Sequence, residues 1–145
     1  MNEILEFKDE YFFLSNFYEC PVLIGKYKFN SSEAAYQACK TTNNNDYKKF
    51  LSLSPDEAKK FGHSIIIRKD WDIIKDHVMK DIVATKFSQN TDLKQKLIDT
   101  YPNILVEGNT WGDTYWGVDI TKPNKPGNNK LGEILMEVRE ALMQG

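Results

Sequence analysis

Consecutive segments between residues 31 and 100 carry the signals of α-helices, and this run constrains the fold more than any other feature. The clearest start is Ser54-Pro55-Asp56-Glu57, with a capping serine, a proline at the first helical position and a glutamate at the third. Gly62 then predicts a left-handed helix end. The expected helices cover residues 31–42, opened by a capping box of Asn30 and Glu33, then 46–53, 55–62, 71–88 after a capping Asp70, 91–100 and, near the C-terminus, 130–143.

Strand signals are short and lie outside that run. Val22-Leu23-Ile24 and Tyr27-Lys28-Phe29 flank Gly25-Lys26 and predict a β-hairpin, because glycine supplies the positive φ of a tight turn. Residues 4–7 and 104–107 indicate further short strands. With a length of 145 residues, these parts predict an α+β fold: a compact, mostly helical single domain over residues 1–145 with a small antiparallel β-sheet.

Charge and hydropathy exclude several classes of protein. The formal net charge is −2 and the basic residues are thinly spread, so the contact with a ligand is expected to be local to one nucleotide-like group. No apolar run approaches the ~20 residues of a membrane helix. The N-terminal residues include an acid where a signal peptide would be basic. We therefore expect a cytoplasmic protein with no membrane partner.

Cysteine and histidine positions argue against a metal or redox centre. Cys20 and Cys39 do not have the spacing of a metal or redox motif. His63 and His77 fall on different predicted elements, without a third ligand nearby. We expect two inert thiols, no metal and no cofactor.

A row of chemically able side chains lies on the first predicted helix. Glu33, Tyr36, Gln37 and Lys40 recur at i, i+3, i+4 and i+7 and so share one face, flanked by small residues that allow close packing. A carboxylate beside a sugar C1′ can stabilise oxocarbenium charge, and a proton donor helps the base to leave. A purely structural alternative is that Glu33 closes a capping box and Lys40 is solvated.

The segment 108–117 is rich in glycine and aromatic residues and is the second candidate. Trp111, Tyr115 and Trp116 could stack on a base, with Glu107 and Asp113 as nearby carboxylates. The alternative is that the two tryptophans fill the core beneath the sheet.

Two further places could hold a phosphate. The start of the last helix, Gly127-Asn128-Asn129, offers backbone N–H groups to an anion, or is an ordinary Asn cap. The pair Arg68-Lys69 could bind phosphate directly, or is simply solvated.

Several short motifs follow one another along the chain in a specific order. They are Ser15-Asn16-Phe17, Ser32-Glu33-Ala34-Ala35-Tyr36-Gln37-Ala38-Cys39-Lys40, Arg68-Lys69-Asp70-Trp71, Leu105-Val106-Glu107-Gly108-Asn109-Thr110-Trp111, Asp113-Thr114-Tyr115-Trp116-Gly117 and Asn129-Lys130-Leu131-Gly132. In this order and at these separations they resemble the NADAR (YbiA-like) family from near the N-terminus to the last helix.

The resemblance implies an N-glycosidase, a hydrolase with a compact, mostly helical fold. One branch of the family cleaves phosphoribosyl riboflavin-pathway intermediates. Another removes ADP-ribose from guanine in DNA and occurs beside ADP-ribosylating toxins, so a toxin encoded nearby is an expected partner. The implied catalytic residues are Glu33, Lys40 and Asp113, and the implied substrate-binding residues are Asn16, Phe17, Tyr36, Arg68, Trp71, Glu107, Trp116, Gly117 and Asn129.

One segment departs from the family pattern. Relatives often have a glycine-rich stretch before the final Asn-x-Leu-Gly, whereas this chain has Pro123 and Pro126 there. Each proline removes a backbone donor. Lys122 and Lys125 could replace the lost phosphate contacts.

Two alternatives remain open from the sequence. Lys40 either pairs with a phosphate or carboxylate, or acts as a desolvated nucleophile at C1′. The chain as a whole could instead be a non-catalytic module that binds ADP-ribose or NAD.

Overall fold

The computed structural model describes residues 2–145, which fall into two units by their internal contacts. One unit is Asn16–Thr91, and the other joins the segment up to Ser15 with Asp92–Gly145. The expectation of one domain over residues 1–145 stays a prediction.

Short strands lie before and after a central run of helices, and one further helix follows the last strand. In order they are β1 (Glu3–Ile4), a 3₁₀ helix (Asp9–Leu14), β2 (Glu19–Ile24), β3 (Tyr27–Ser31), α1 (Ser32–Ala38), α2 (Asn44–Lys49), a second 3₁₀ helix (Phe50–Ser52), α3 (Pro55–Gly62), α4 (Trp71–Gln89), α5 (Thr91–Asp99), β4 (Ile104–Leu105), β5 (Gly108–Asn109), β6 (Val118–Asp119) and α6 (Lys130–Gln144).

The predicted hairpin is present and is the antiparallel sheet of the unit Asn16–Thr91. β2 and β3 pair with Val22 opposite Phe29 and Ile24 opposite Tyr27. Gly25 in the turn has φ +59°, the left-handed region that glycine enters without strain. Val22 and Phe29 are fully buried, and β2 packs on α4. The hairpin thus gives α1 and α4 a common apolar floor.

Helix α1 is shorter than expected and is capped by a different residue. Ser31, not Asn30, caps it, because the Ser31 hydroxyl accepts from the amide of Ala34 at 3.0 Å. The helix ends at Ala38, and the chain tightens beyond it, since the amides of Lys40 and Thr41 bond carbonyls three residues back. The expected helix to residue 42 was therefore wrong by one turn. Every residue of α1 is buried.

Helix α3 begins as predicted, but its end has a different cause. The Ser54 and Glu57 capping box is formed. The helix ends at Gly62, yet the backbone remains right-handed at His63, with φ −80° and ψ −14°. Gly62 is needed instead for packing, because a Cβ there would lie 2.0 Å from Gln37 Oε1.

Two other helix predictions needed correction. The expected helix 46–53 is divided into α2, capped by Asn43, and a 3₁₀ helix. Asp70 does not cap α4 with its side chain, because its carboxylate is paired with Arg68.

The other unit contains two parallel strand pairs and α6. β1 pairs with β4 and β5 pairs with β6, both in parallel, and each pair is a separate two-stranded sheet. These parallel pairings were not predicted from the sequence. α6 packs on β4 through a buried stripe that includes Leu131, Leu135 and Val138. The α+β fold class is confirmed. Among the described residues, no helix has the length and apolar character needed to cross a membrane.

Candidate active site

Glu33 is a buried carboxylate in the first turn of α1. It is 8% exposed, and its amide donates to the carbonyl of Asn16 at 3.0 Å. Its Oε2 accepts a hydrogen bond from Gln37 Nε2 at 2.6 Å, one turn further along the helix. An amide donor is therefore directed at the acid. Because Ser31 caps the helix, Glu33 stands at the second helical position, whereas the acid of a capping box stands at the third.

Asn16 fixes the entry to the same helix. Ser32 Oγ donates to Asn16 Oδ1 at 2.8 Å, and Asn16 Nδ2 donates to Met79 Sδ at 3.4 Å. Both Asn16 and Ser32 are buried. Phe17 lies beneath a cation, with Lys59 Nζ 5.8 Å from its ring centroid. Asn16 thus positions the turn that carries Glu33, and Phe17 contacts a lysine that the sequence interpretation did not single out.

Lys40 lies just beyond the end of α1 and shares the surroundings of Glu33. Burial lowers its pKa from the ordinary value, the carboxylate of Glu33 opposes that shift, and the charges of Lys59 and Lys75 add to it. Its Nζ is 5.7 Å from the ring centroid of Tyr36. One acid and three amines therefore interact electrostatically here, and a lowered pKa makes the neutral amine of Lys40 easier to form.

Tyr36 and Trp71 form an aromatic wall beside these charges. Their ring centroids are 5.1 Å apart, and both side chains are buried, at 6% and 7% exposure. Arg68 joins the same region, because its amide donates to the carbonyl of Lys40 at 2.8 Å. Its guanidinium binds Asp70 with Nε–Oδ1 2.6 Å and Nη2–Oδ2 3.2 Å, which raises the pKa of Arg68 and lowers that of Asp70. The guanidinium of Arg68 is thus already paired with the carboxylate of Asp70.

In the other unit, Asp113 organises the glycine-aromatic loop. Its Oδ1 accepts from the amides of Tyr115 at 3.1 Å and Trp116 at 3.0 Å. Asn109, 1% exposed, holds Asp113 from the other side: its Oδ1 accepts from the Asp113 amide and its Nδ2 donates to the Asp113 carbonyl. The sequence analysis quoted Asn109 within a motif but assigned it no role, although an Asx residue at a strand end is a signal for such a turn.

The aromatic residues of this loop differ in exposure. Trp111 is 67% exposed, so the interpretation of it as a core residue was wrong. Trp116 is partly buried and meets Tyr115 edge-on, with centroids 4.9 Å apart. Gly117 allows a close approach, because a Cβ there would lie 2.1 Å from the carbonyl oxygen of Glu107.

The start of α6 is occupied by the protein's own carbonyls. The amides of residues 128–131 donate to the carbonyls of Thr114, Gly117, Tyr115 and Trp116. Asn129 has φ +50°, and its side chain accepts from the Glu107 amide and donates to the Leu105 carbonyl. The expectation that these N–H groups bind an anion was therefore wrong: they hold the loop.

The expected site residues divide between the two units. Asn16, Phe17, Glu33, Tyr36, Lys40, Arg68 and Trp71 belong to Asn16–Thr91, whereas Glu107, Asp113, Trp116, Gly117 and Asn129 belong to the other unit. Within residues 2–145, no group of three or more His, Cys, Asp and Glu side chains is arranged to hold a metal. Both cysteines are free, and burial raises the pKa of the Cys39 thiol to about 11.

Comparison with known proteins identifies the family. The model of the NADAR domain matches residues 5–143. The chain is 35% identical over 137 residues to N-glycosidase YbiA of Shigella boydii, covering 92% of this chain and 83% of the relative. It is 38% identical over 136 residues to a riboflavin biosynthesis protein of Vibrio vulnificus, covering 91% of this chain and 36% of that longer protein.

The solved structure of Escherichia coli YbiA has the same fold. It superposes with a TM-score of 0.84 at 32% identity, over 98% of this chain and 84% of that one. Because its curated relatives are named N-glycosidases, the chain is an enzyme, a hydrolase that acts on N-glycosyl bonds. The family model spans nearly the whole chain, and the helix that carries Glu33, Tyr36 and Gln37 lies within the matched residues. The chain therefore belongs to the NADAR domain family.

Proposed function

We propose that the substrate is a phosphorylated ribose N-glycoside, and that the enzyme hydrolyses its C1′–N bond. The observation that carries this proposal is the buried carboxylate of Glu33 beside Lys40, with Lys59 and Lys75 contributing further positive charge. Carboxylates near C1′ stabilise the oxocarbenium charge of glycoside cleavage. Amines suit the phosphate of such a substrate.

Hydrolysis of the C1′–N bond needs a proton for the base and a water for the sugar. As the C1′–N bond breaks, its electron pair goes to the base nitrogen, which takes up a proton, and water supplies the hydroxyl at C1′. Glu33 transfers the proton or stabilises the oxocarbenium ion. Tyr36 and Trp71 shape an apolar wall that excludes water from the charged groups. Asp113 keeps the loop bearing Trp116 in its turn.

Two substrates have this shared chemistry. The first is a phosphoribosyl riboflavin-pathway intermediate, a ribosylamino-pyrimidine 5′-phosphate, which the name of the Vibrio relative favours. The second is ADP-ribosylated guanine in DNA, favoured by the exposed Trp111, which could stack on a base. Both place the enzyme in the cytoplasm, and the second includes an ADP-ribosylating toxin encoded nearby as partner.

Base release from the two substrates in parallel tests the proposal. Chromatography would follow free pyrimidine from the 5′-phosphate and restored guanine from an ADP-ribosylated single strand, with the Glu33→Gln variant as control. Release by the wild type alone from either substrate supports the proposal and identifies the branch. Tight binding of ADP-ribose without release from either substrate would favour a non-catalytic binding module.

The lowered pKa of Lys40 leads to a prediction about its role. We expect its neutral amine to attack C1′ as the base leaves with the electron pair of the C1′–N bond, so that opening of the sugar ring gives a Schiff base. Water then hydrolyses this imine, which frees Lys40 and gives C1′ its oxygen. Borohydride added during turnover should then reduce this imine and leave the sugar mass on the peptide containing Lys40. Lys28→Met, at an exposed lysine of β3, should retain the adduct, and Lys40→Met should lose it. Turnover without any adduct would assign Lys40 to phosphate or carboxylate pairing.

A further inference from the structure

Gln37 connects the candidate acid to the neighbouring helix. Its side chain is 5% exposed and lies one turn after Glu33, with Nε2 2.6 Å from Glu33 Oε2. The orientation of the amide follows from chemistry, because a carbonyl oxygen at that distance from a carboxylate would be repelled. Gln37 therefore presents its donor to Glu33 and its carbonyl to α3.

The side-chain carbonyl oxygen of Gln37, Oε1, is buried without a hydrogen bond to any of the described residues, which is unusual in a folded protein. Buried polar atoms are nearly always satisfied, and the exceptions include groups at catalytic sites. An apolar side chain of similar size would avoid the lost hydrogen bond. The amide is retained with only its donor end used, and that end faces Glu33.

Gly62 completes the arrangement from α3. A Cβ at this position would lie 2.0 Å from Gln37 Oε1 and 2.8 Å from Gln37 Cδ. Alanine is otherwise the better helix former, and the backbone here is ordinary helix. Glycine thus provides the space in which the amide of Gln37 sits.

We propose that Gln37 is a positioning residue that orients the Glu33 carboxylate for C–N bond cleavage, and that Gly62 holds Gln37 in that position. This inference rests on the proposed role of Glu33. Neither residue contacts the substrate. Both act on the reaction through one hydrogen bond, so that a disturbed Gln37 lowers kcat and leaves KM nearly unchanged.

The test replaces each residue and reads the Glu33 carboxyl group directly. In Gln37→Leu the ¹³C titration of the Glu33 carboxyl, assigned by its loss in Glu33→Gln, should move to higher pH, because the amide donor favours the ionised form. The kcat of Gln37→Leu should fall roughly 100-fold, as for a misplaced reacting group. Gly62→Ala should lower kcat in the same direction with an unchanged circular dichroism spectrum.

A double variant separates positioning from packing. If Gly62 acts only through Gln37, then Gly62→Ala with Gln37→Leu should be no slower than Gln37→Leu alone. Gln95→Leu is the matched control, because Gln95 Nε2 donates to Asp99 Oδ1 at 2.8 Å on the exposed face of α5; it should keep wild-type kcat.

Unchanged titration of Glu33 in Gln37→Leu would overturn the positioning role whatever the substrate. If the Glu33 titration shifts in Gln37→Leu but the wild type cleaves neither proposed substrate, the positioning role of Gln37 stands and the proposed function is refuted. A fall in kcat with additive effects of the two substitutions would overturn the part assigned to Gly62.

Discussion

Replacing Glu33 by Gln should lower kcat by roughly 10²–10⁴-fold, the range for removal of a general acid or base. Glutamine keeps the size of the side chain but carries neither the charge that opposes an oxocarbenium ion nor an exchangeable acidic proton. Glu33 is buried and is the acid of the row on α1. The loss should appear in kcat, because oxocarbenium charge exists only in the transition state.

The matched control for that variant is Glu133→Gln. Glu133 is also an acid in the first turn of a helix, α6, but it is exposed. The same chemical change there should leave both kcat and KM at the wild-type values. Thermal unfolding of both variants would show whether each is folded. A folded Glu33→Gln enzyme that releases base at the wild-type rate would refute the assignment of Glu33.

Local signals predicted the elements that depend on neighbours in sequence. The hairpin around Gly25 and the capping box of Ser54 were both confirmed, because each is formed by residues at most a few positions apart. The row of Glu33, Tyr36 and Gln37 was also found from helical spacing, and the helix that carries them is present. Its fourth member, Lys40, lies beyond the helix end, because the chain tightens after Ala38.

Features that depend on distant partners could not be found in this way. β1 pairs with β4 across roughly a hundred residues, and no local pattern encodes that pairing. α3 ends at Gly62 as predicted, but its backbone is not left-handed there, and the glycine instead admits Gln37, a side chain on another helix. The N–H groups at the start of α6 looked available to an anion, but the loop at 114–117 returns to bond them. In each case the deciding contact is tertiary.

Lys86 is the most consequential residue that sequence analysis missed, and it gives the largest stability prediction. It is 1% exposed on α4, with its Nζ 5.7 Å from the ring centroid of Tyr18 and 5.0 Å from that of Phe87. Burial lowers its pKa from 10.5 to about 8, while the thiolate form of Cys20 would oppose that shift. Sequence analysis did not single it out, because a lysine is almost never fully buried.

The sign of the pH effect follows from the lowered pKa. Between about pH 8 and pH 10.5 the unfolded chain binds the Lys86 proton and the folded protein does not. The free energy of unfolding contributed by Lys86 therefore rises with pH over this window, and the penalty of burying the charge is fully present below it. From the size of the shift, wild type should gain roughly 2–3 kcal/mol relative to Lys86→Met between pH 7 and pH 10.

Urea unfolding of the wild type and Lys86→Met at pH 7 and pH 10 measures this difference. Methionine follows the path of the lysine stem without a charge. Subtracting the unfolding free energy of the variant from that of the wild type removes the contribution of groups that titrate alike in both proteins. Lys80→Met, exposed on the same helix, should run parallel to the wild type. Parallel behaviour of Lys86→Met itself would mean that the Lys86 ammonium remains protonated in the folded core and that neighbouring groups offset its burial. A gain in the wild type that is absent from Lys86→Met would show that the amine buried on α4 loses its proton as the pH rises from 7 to 10.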